Sequence, residues 1–385
     1  MKASHLSLML VMFLSARAFA VCPEGDLNRD CKVDLYDFAL MGESWLEVEP
    51  NLPTGTVIIN EVMSHSHGVA PDWIELYNTS GSTIDISGWY LSDSDRHLTD
   101  TDAYLITNGT TIAPYGYVVF YEDTHFGAKF GLSENGDDVF LSLTRNGLPF
   151  GMDDMKFGAA ENGVSFGRYT TSTGEVKFVA MDSNTPGQLN SYPKVGPVVI
   201  NEVMYYFDTD HPDTDDYEYI ELYNIEDNDV NLWVYDPCTA GDVNWAVTKG
   251  ISFVFPYHTT IAAHGYLLVV RSKSDFTSLY PGVPSSIVFE WDSGKLSNEG
   301  ENIELSMPGE LDTTVIPNER YYIRVDNVSY SDGEHHENFP GLDPWVHTNS
   351  ANGGGESLQR IYPNLYGDDV NNWKSDEAAP GEQTY

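Results

Sequence analysis

Between residues 56 and 192 the chain alternates short apolar runs, rich in Val, Ile, Tyr and Phe, with breaks of Gly, Asn, Asp and Pro. The runs at 57–62, 73–78, 84–91, 104–106, 117–121, 139–143, 164–169 and 177–180 read as strands. In the second of them Ile74 and Leu76 fall on one face and Glu75 and Tyr77 on the other, the period of a half-buried strand. Nothing between these runs has the length or period of a helix. That excludes alternating βαβ units and predicts an all-β sandwich.

The pattern then returns. Ile59-Asn60-Glu61-Val62-Met63 recurs as Ile200-Asn201-Glu202-Val203-Met204, and Trp73-Ile74-Glu75-Leu76-Tyr77-Asn78 as Tyr219-Ile220-Glu221-Leu222-Tyr223-Asn224. Ile112-Ala113-Pro114-Tyr115-Gly116-Tyr117 answers Ile261-Ala262-Ala263-His264-Gly265-Tyr266. Leu132-Ser133-Glu134-Asn135-Gly136 answers Leu296-Ser297-Asn298-Glu299-Gly300. Ser165-Phe166-Gly167-Arg168 answers Ser357-Leu358-Gln359-Arg360, and Thr185-Pro186-Gly187 answers Ala379-Pro380-Gly381. The order is kept while the spacing widens, so the second copy has gained loops. A domain-sized period means one fold duplicated in tandem, not a solenoid of small units. The expected divisions are 1–20 (leader), 21–47 (loop and helix), 48–55 (linker with Pro50, Pro53 and Gly55), 56–192 and 197–385 (two sandwiches).

Charge narrows the partners. Fifty-nine acids against 19 bases give a formal net charge of −40. Such a chain repels phosphate backbones and anionic bilayers, which excludes nucleic acid as a partner. Lys2, the apolar stretch from Leu6 to Leu14 and Ala18-Phe19-Ala20 form a secretory leader with cleavage expected after Ala20. No other apolar run is long enough to span a membrane, so the product is expected outside the cell or at its surface. In that oxidising setting Cys22 and Cys31, which flank a tight loop, are expected to pair, leaving Cys238 over.

Directly after the leader, Asp26, Asn28, Asp30, Asp34 and Asp37 place side-chain oxygens at loop positions one, three, five, nine and twelve. Lys32 at position seven would supply its carbonyl, and Val33 would seat the loop on a core. A hard cation such as Ca2+ suits that donor set; an Asx-rich turn capping a helix is the alternative. Leu35, Phe38, Met41 or Gly42, and Trp45 then recur at helical spacing, which predicts a helix ending near Leu46. The segment resembles the calcium-binding half-repeat of a planctomycete-type dockerin. The resemblance implies that Asp26, Asn28, Asp30, Asp34 and Asp37 are side-chain ligands; calcium bound there would order the helix and make Phe38, Met41 and Trp45 a docking face. Two departures stand out: Cys31 occupies the position where such loops prefer Gly, and one half-repeat is present where dockerins carry two.

The duplicated motifs, together with Ile86-Ser87-Gly88-Trp89-Tyr90-Leu91 and the closing Thr-Pro-Gly, resemble the lamin-tail domain, an immunoglobulin-like sandwich. The second copy departs at Val230-Asn231-Leu232-Trp233, which lacks the Ser-Gly step. The resemblance implies a binding or scaffolding module, with a protein or polysaccharide at the cell exterior as partner. Glu61 with Glu75, and Glu202 with Glu221, are the best candidates for a hydrolase's carboxylate pair. Their place inside strand motifs beside Asn60, Asn78, Asn201 and Asn224 instead favours bonding to loop amides. A row of exposed aromatic rings would mark a carbohydrate-binding module. His65, His67, His335 and His336 lack the convergent partners zinc needs. The acidic stretch Asp208, Asp210, Asp213, Asp215, Asp216 and Glu218 lacks the ordered spacing of the N-terminal loop, and so do Asp93, Asp95, Asp100 and Asp102. No catalytic signature appears, and a non-catalytic role is the expectation.

Overall fold

A computed structural model describes residues 32, 33, 35, 54–94, 102–145, 148–207, 214–312, 318–334 and 343–382. The first copy contains strands β1 (Val57–Met63), β2 (Trp73–Asn78), β3 (Ile84–Asp85), β4 (Tyr90–Ser92), β5 (Tyr104–Leu105), β6 (Thr111–Ile112), β7 (Tyr117–Tyr121), β8 (Asp137–Arg145), β9 (Leu148–Phe157), β10 (Phe166–Thr170) and β11 (Val176–Ala180). One sheet runs β11-β10-β1-β2-β7 and the other β5-β4-β8-β9, with β3 and β6 as a small side pair. Ile59, Val62, Ile74 and Leu76 from the first sheet meet Leu91, Val139 and Leu141 from the second in one buried core. The all-β sandwich read from the sequence is the fold observed.

Three details differ from the predicted strands. The run at 84–91 breaks into β3 and β4, because Gly88 turns the chain at φ +79° and the Trp89 amide folds back onto the Ile86 carbonyl. The β6 strand is too short to carry a pattern. The β9 strand was hidden by Pro149 and Gly151, which read as turn residues; it stands at the sheet edge, where a missing rung is tolerated.

The second copy adds β12 (Val198–Met204), β13 (Tyr219–Asn224), β14 (Val230–Asn231), β15 (Trp233–Asp236), β16 (Gly241–Asn244), β17 (Ala246–Lys249), β18 (Ile251–Val254), β19 (Thr260–Ile261), β20 (Tyr266–Val270), helix α1 (Lys273–Leu279), β21 (Val288–Glu290), β22 (Ser293–Gly294), β23 (Gly300–Asp312), β24 (Glu319–Ser331), β25 (Glu356–Arg360) and β26 (Trp373–Glu377). Its sheets run β21-β20-β13-β12-β25-β26 and β22-β18-β17-β23-β24. Each repeats the first copy's order and gains one edge strand. The first copy's pattern excludes βαβ units; the second copy adds one. β20 and β21 pair in parallel, and α1 lies in their crossover. The first copy has a shorter helical turn, Glu122–Phe126, at the same place after β7; the parallel strand β21 belongs to an insertion of the second copy, where the repeat pattern gives no guidance.

The departure at Val230-Asn231-Leu232-Trp233 also resolves. In the first copy Ile86 bonds to the Thr110 carbonyl, Trp89 to the Ile86 carbonyl, and Ile106 to the Trp89 carbonyl. In the second, Leu232 bonds to Thr259, Trp245 to Leu232, and Phe255 to Trp245 in the same pattern. Trp245, not Trp233, is therefore the counterpart of Trp89. The β15–β16 hairpin fills the place of the Ser-Gly step.

The copies meet along β10, β11 and the loop before β26. Val179, Met181 and Tyr366 form a small shared core against Tyr169. Lys177 Nζ lies 3.1 Å from Asp368, the Ser172 amide donates to Asp369 at 2.9 Å, and the Tyr366 amide donates to Tyr192 Oη at 2.9 Å.

Candidate functional site: the duplicated carboxylates

Glu61 and Glu75 face each other across β1 and β2. Between Ile59 and Glu61 the register shifts, so Asn60 is an extra residue in the strand. This bulge explains the Ile-Asn-Glu-Val motif. Ile59 and Val62 both enter the core, and Asn60 and Glu61 both leave it, which strict alternation forbids. The two carboxylates thus lie on the sheet face away from the core, yet both have no exposed surface. The segment after β11 covers them.

Hydrogen bonds account for the burial. Glu61 accepts from Ser165 Oγ at 2.5 Å, from Thr185 Oγ1 at 2.8 Å, and from the Thr185 amide at 3.1 and 3.2 Å to its two oxygens. Glu75 accepts from Asn60 Nδ2 at 2.8 Å and from the Gly187 amide. The Thr-Pro-Gly turn is therefore pinned by one carboxylate at each end. Gly187 sits at φ +81°, which presents its amide inward. The second copy matches this. Glu202 accepts from Tyr219 Oη at 2.7 Å, from Ser357 Oγ, and from the Ala379 amide at 3.1 Å. Glu221 accepts from Asn201 Nδ2 at 2.9 Å and from the Gly381 amide at 2.5 Å. The sequence motifs at either end of each copy are thus two halves of one lock.

Burial disfavours the ionised forms. It pushes the Glu75 carboxyl up to about 7, against the pull of the Gly187 and Asn60 hydrogen bonds. Burial raises Glu202 and Glu221 as well, and the Glu202 charge raises Glu221 further. Neither pair faces a cleft. The carboxylate oxygens are taken up by the turn that closes over them, with only Glu202 Oε2 lacking a donor among the described residues.

A second shared device went unread in the sequence. At the bulge, β10 pairs with β1 only at Glu61 and Val62, so Ile59 lacks rungs on that side. Arg168 Nε donates to the Ile59 carbonyl at 2.6 Å, and Asp153 Oδ2 accepts the Ile59 amide at 2.7 Å and Arg168 Nη2 at 2.6 Å. In the second copy Arg360 and Asp326 hold Ile200 in the same way, with amide and carbonyl bonds of 2.8 and 3.1 Å. Burial raises both aspartates, and the neighbouring guanidinium opposes it. The signal was available: Met152-Asp153-Asp154 and Val325-Asp326-Asn327 align once β9 is recognised as a strand.

The remaining candidates are scattered. His65 Nδ1 lies 3.1 Å from the Ala160 carbonyl, and His67 Nδ1 lies 2.7 Å from Asn162 Oδ1. Glu218 is buried, accepts the Leu296 amide at 2.9 Å, and is raised by burial to about 8. Asp215 pairs with Lys295 at 3.2 Å. Cys238 is exposed and unpaired. Among the described residues no three His, Cys, Asp or Glu side chains form a metal-sized group. Asp95, Asp100, Asp208, Asp210, Asp213, His335 and His336 lie outside the described residues, as do Cys22, Cys31 and the loop ligands Asp26, Asn28, Asp30, Asp34 and Asp37. Lys32 is described and exposed, and so is Val33, which the sequence seats on a core. No helix among the described residues is long and apolar enough to cross a membrane.

Fold and lock together define a tandem immunoglobulin-like β-sandwich protein. Residues 50–157 and 192–332 match the Lamin Tail Domain, and the chain belongs to that family of immunoglobulin-like domains of binding or structural type. Comparison with curated proteins and with solved structures gives no match. The matched stretches end before β10 and β25, the strands that bring Ser165 with Arg168 and Ser357 with Arg360 to the lock.

Proposed function

We propose that this is a secreted, non-catalytic binding protein that serves in assembly or adhesion outside the cell. The observation that carries the reading is the fate of the shared acids. A hydrolase's two carboxylates must reach the substrate, whereas Glu61 and Glu75, like Glu202 and Glu221, are sealed under a backbone turn. What the duplication preserves is a means of closing a sandwich, and the loops are left to differ. Secretion rests on the leader at 1–20.

Calcium is part of the proposal. Five side-chain oxygens from Asp26, Asn28, Asp30, Asp34 and Asp37 form a hard donor set suited to Ca2+. Bound there, the ion would neutralise the loop acids. Phe38, Met41 and Trp45 would then serve as the docking face. The test is capture of partners from culture medium by the full chain, with and without chelator, beside calcium titration calorimetry. A chelator-sensitive partner and calcium uptake lost in Asp30→Ala are expected. Hydrolysis of a polysaccharide or peptide by the purified chain, abolished by Glu75→Gln, would overturn the reading.

A further inference from the structure

We propose that the cleft between the two copies binds a uronic acid unit, a sugar ring bearing a carboxylate. A cavity of about 550 Å³ opens there, lined by residues of both copies. That size suits a small ligand. In a chain with 59 acids and 19 bases, this lining inverts the balance: Lys156, Lys194, Lys249 and Arg324 against Glu161, Glu304 and Asp326.

The pairing of these charges singles out one group. Lys249 meets Glu304 at 2.7 Å, Lys194 meets Glu161, and Asp326 is held by Arg360 at 2.6 Å. Lys156 turns to Asp138 at 3.2 Å. Arg324, paired through its backbone with Ser306, is half-buried, and its guanidinium has no hydrogen bond or ion pair among the described residues. A planar guanidinium left over in a cleft matches a carboxylate with two parallel hydrogen bonds.

Neutral groups point the same way. Trp245 Nε1, Asn327 Nδ2 and Tyr366 Oη belong to lining residues, are buried, and lack partners. Two of these are donors only, and the third can donate. A ligand that suits them carries several acceptors spread around a ring, as sugar hydroxyls are. Phe178 and Tyr322 supply apolar walls for the ring face. An aromatic acid such as benzoate would satisfy Arg324 and leave the other donors unmet.

The inference rests on the binding reading above and gives it a ligand class. The experiment is calorimetric titration of the full chain with glucuronate, glucose and benzoate. Glucuronate is expected to bind in the millimolar range or tighter, and glucose and benzoate at least about tenfold more weakly. Arg324→Gln should lose about tenfold in glucuronate affinity with its melting temperature unchanged, and Arg324→Lys should fall between. Equal binding of glucuronate and glucose, equal binding of benzoate, unchanged affinity in Arg324→Gln, or no glucuronate binding would each overturn it. Chelator-sensitive capture of a partner that persists beside a failed glucuronate titration would sink this ligand alone and leave the binding reading standing.

Discussion

Tyr219 Oη donates to Glu202 Oε1 at 2.7 Å, and the first copy has no counterpart to that bond because Trp73 stands at the matching position. There the hydroxyl comes from the turn, as Thr185 Oγ1 donates to Glu61 at 2.8 Å. The second copy has Ala379 at the place of Thr185 and a phenol at the place of the indole. Glu61 and Glu202 therefore each keep one serine hydroxyl, one turn amide and one further hydroxyl. The source of the third donor has moved from the turn to the strand.

That exchange makes a reciprocal prediction. Tyr219→Phe strips a donor from a buried carboxylate and should cost about 1–3 kcal/mol. Adding Ala379→Thr should recover part of the loss by restoring the first copy's arrangement. Thr185→Ala should cost a similar amount. Urea midpoints at constant slope provide the measurement; no recovery in the double variant would mean the two hydroxyls are not equivalent.

Stability should fall as pH rises from about 4.5 to about 7. Glu75 has a folded pKa near 7, above its ordinary 4.5. In that window the folded chain holds a proton that the unfolded chain has released. The contribution is complete below about 4.5 and is lost as pH climbs through 7. It amounts to at most about 3 kcal/mol. Glu202 and Glu221 act in the same direction. Self-repulsion of the acidic surface has the same sign, so the decisive comparison is with Glu75→Gln, which should show a shallower slope over this range.

Gly187→Ala and Gly381→Ala should each cost about 1–2 kcal/mol, because a side chain at these left-handed angles is strained. An added methyl meets nothing within 4 Å at Gly187 and only ordinary contacts with Val283 at Gly381. The loss would thus report backbone conformation alone. Gly174→Ala, also left-handed and uncrowded but remote from the lock, provides the control for exchange protection. Only the first two should expose the turn to faster amide exchange.

Arg360→Met should be the most damaging single change, about 3–5 kcal/mol, because it leaves Asp326 buried without its cation. Adding Asp326→Leu removes the stranded charge. Recovery should nevertheless be partial, since the Ile200 amide and carbonyl then lose their partners. Thermal unfolding of the two variants decides it: full recovery would mean that the pair does not brace the bulge.

Much of this was readable from residue order. Alternation in Ile74, Glu75 and Leu76 placed β2, and the motifs that return gave the duplication and the fold class. The sealed state of the carboxylates was half readable, from the asparagines beside them. Which groups would seal them was not, because Glu61 and Thr185 are far apart in sequence and meet only when β10 and β11 return the chain beside β1.

Residue order alone determined that each copy is a sandwich, because strand periodicity is a local property and repeats itself when a domain is duplicated. It could not place Trp245 opposite Trp89, since an inserted hairpin moves a residue along the chain without moving it in space. Nor could it single out Arg324, whose freedom depends on every neighbouring acid having been claimed by another cation. Those outcomes belong to three-dimensional pairing, in which the hydrogen-bond partners of a buried polar group are fixed by whichever segments the two cores bring together.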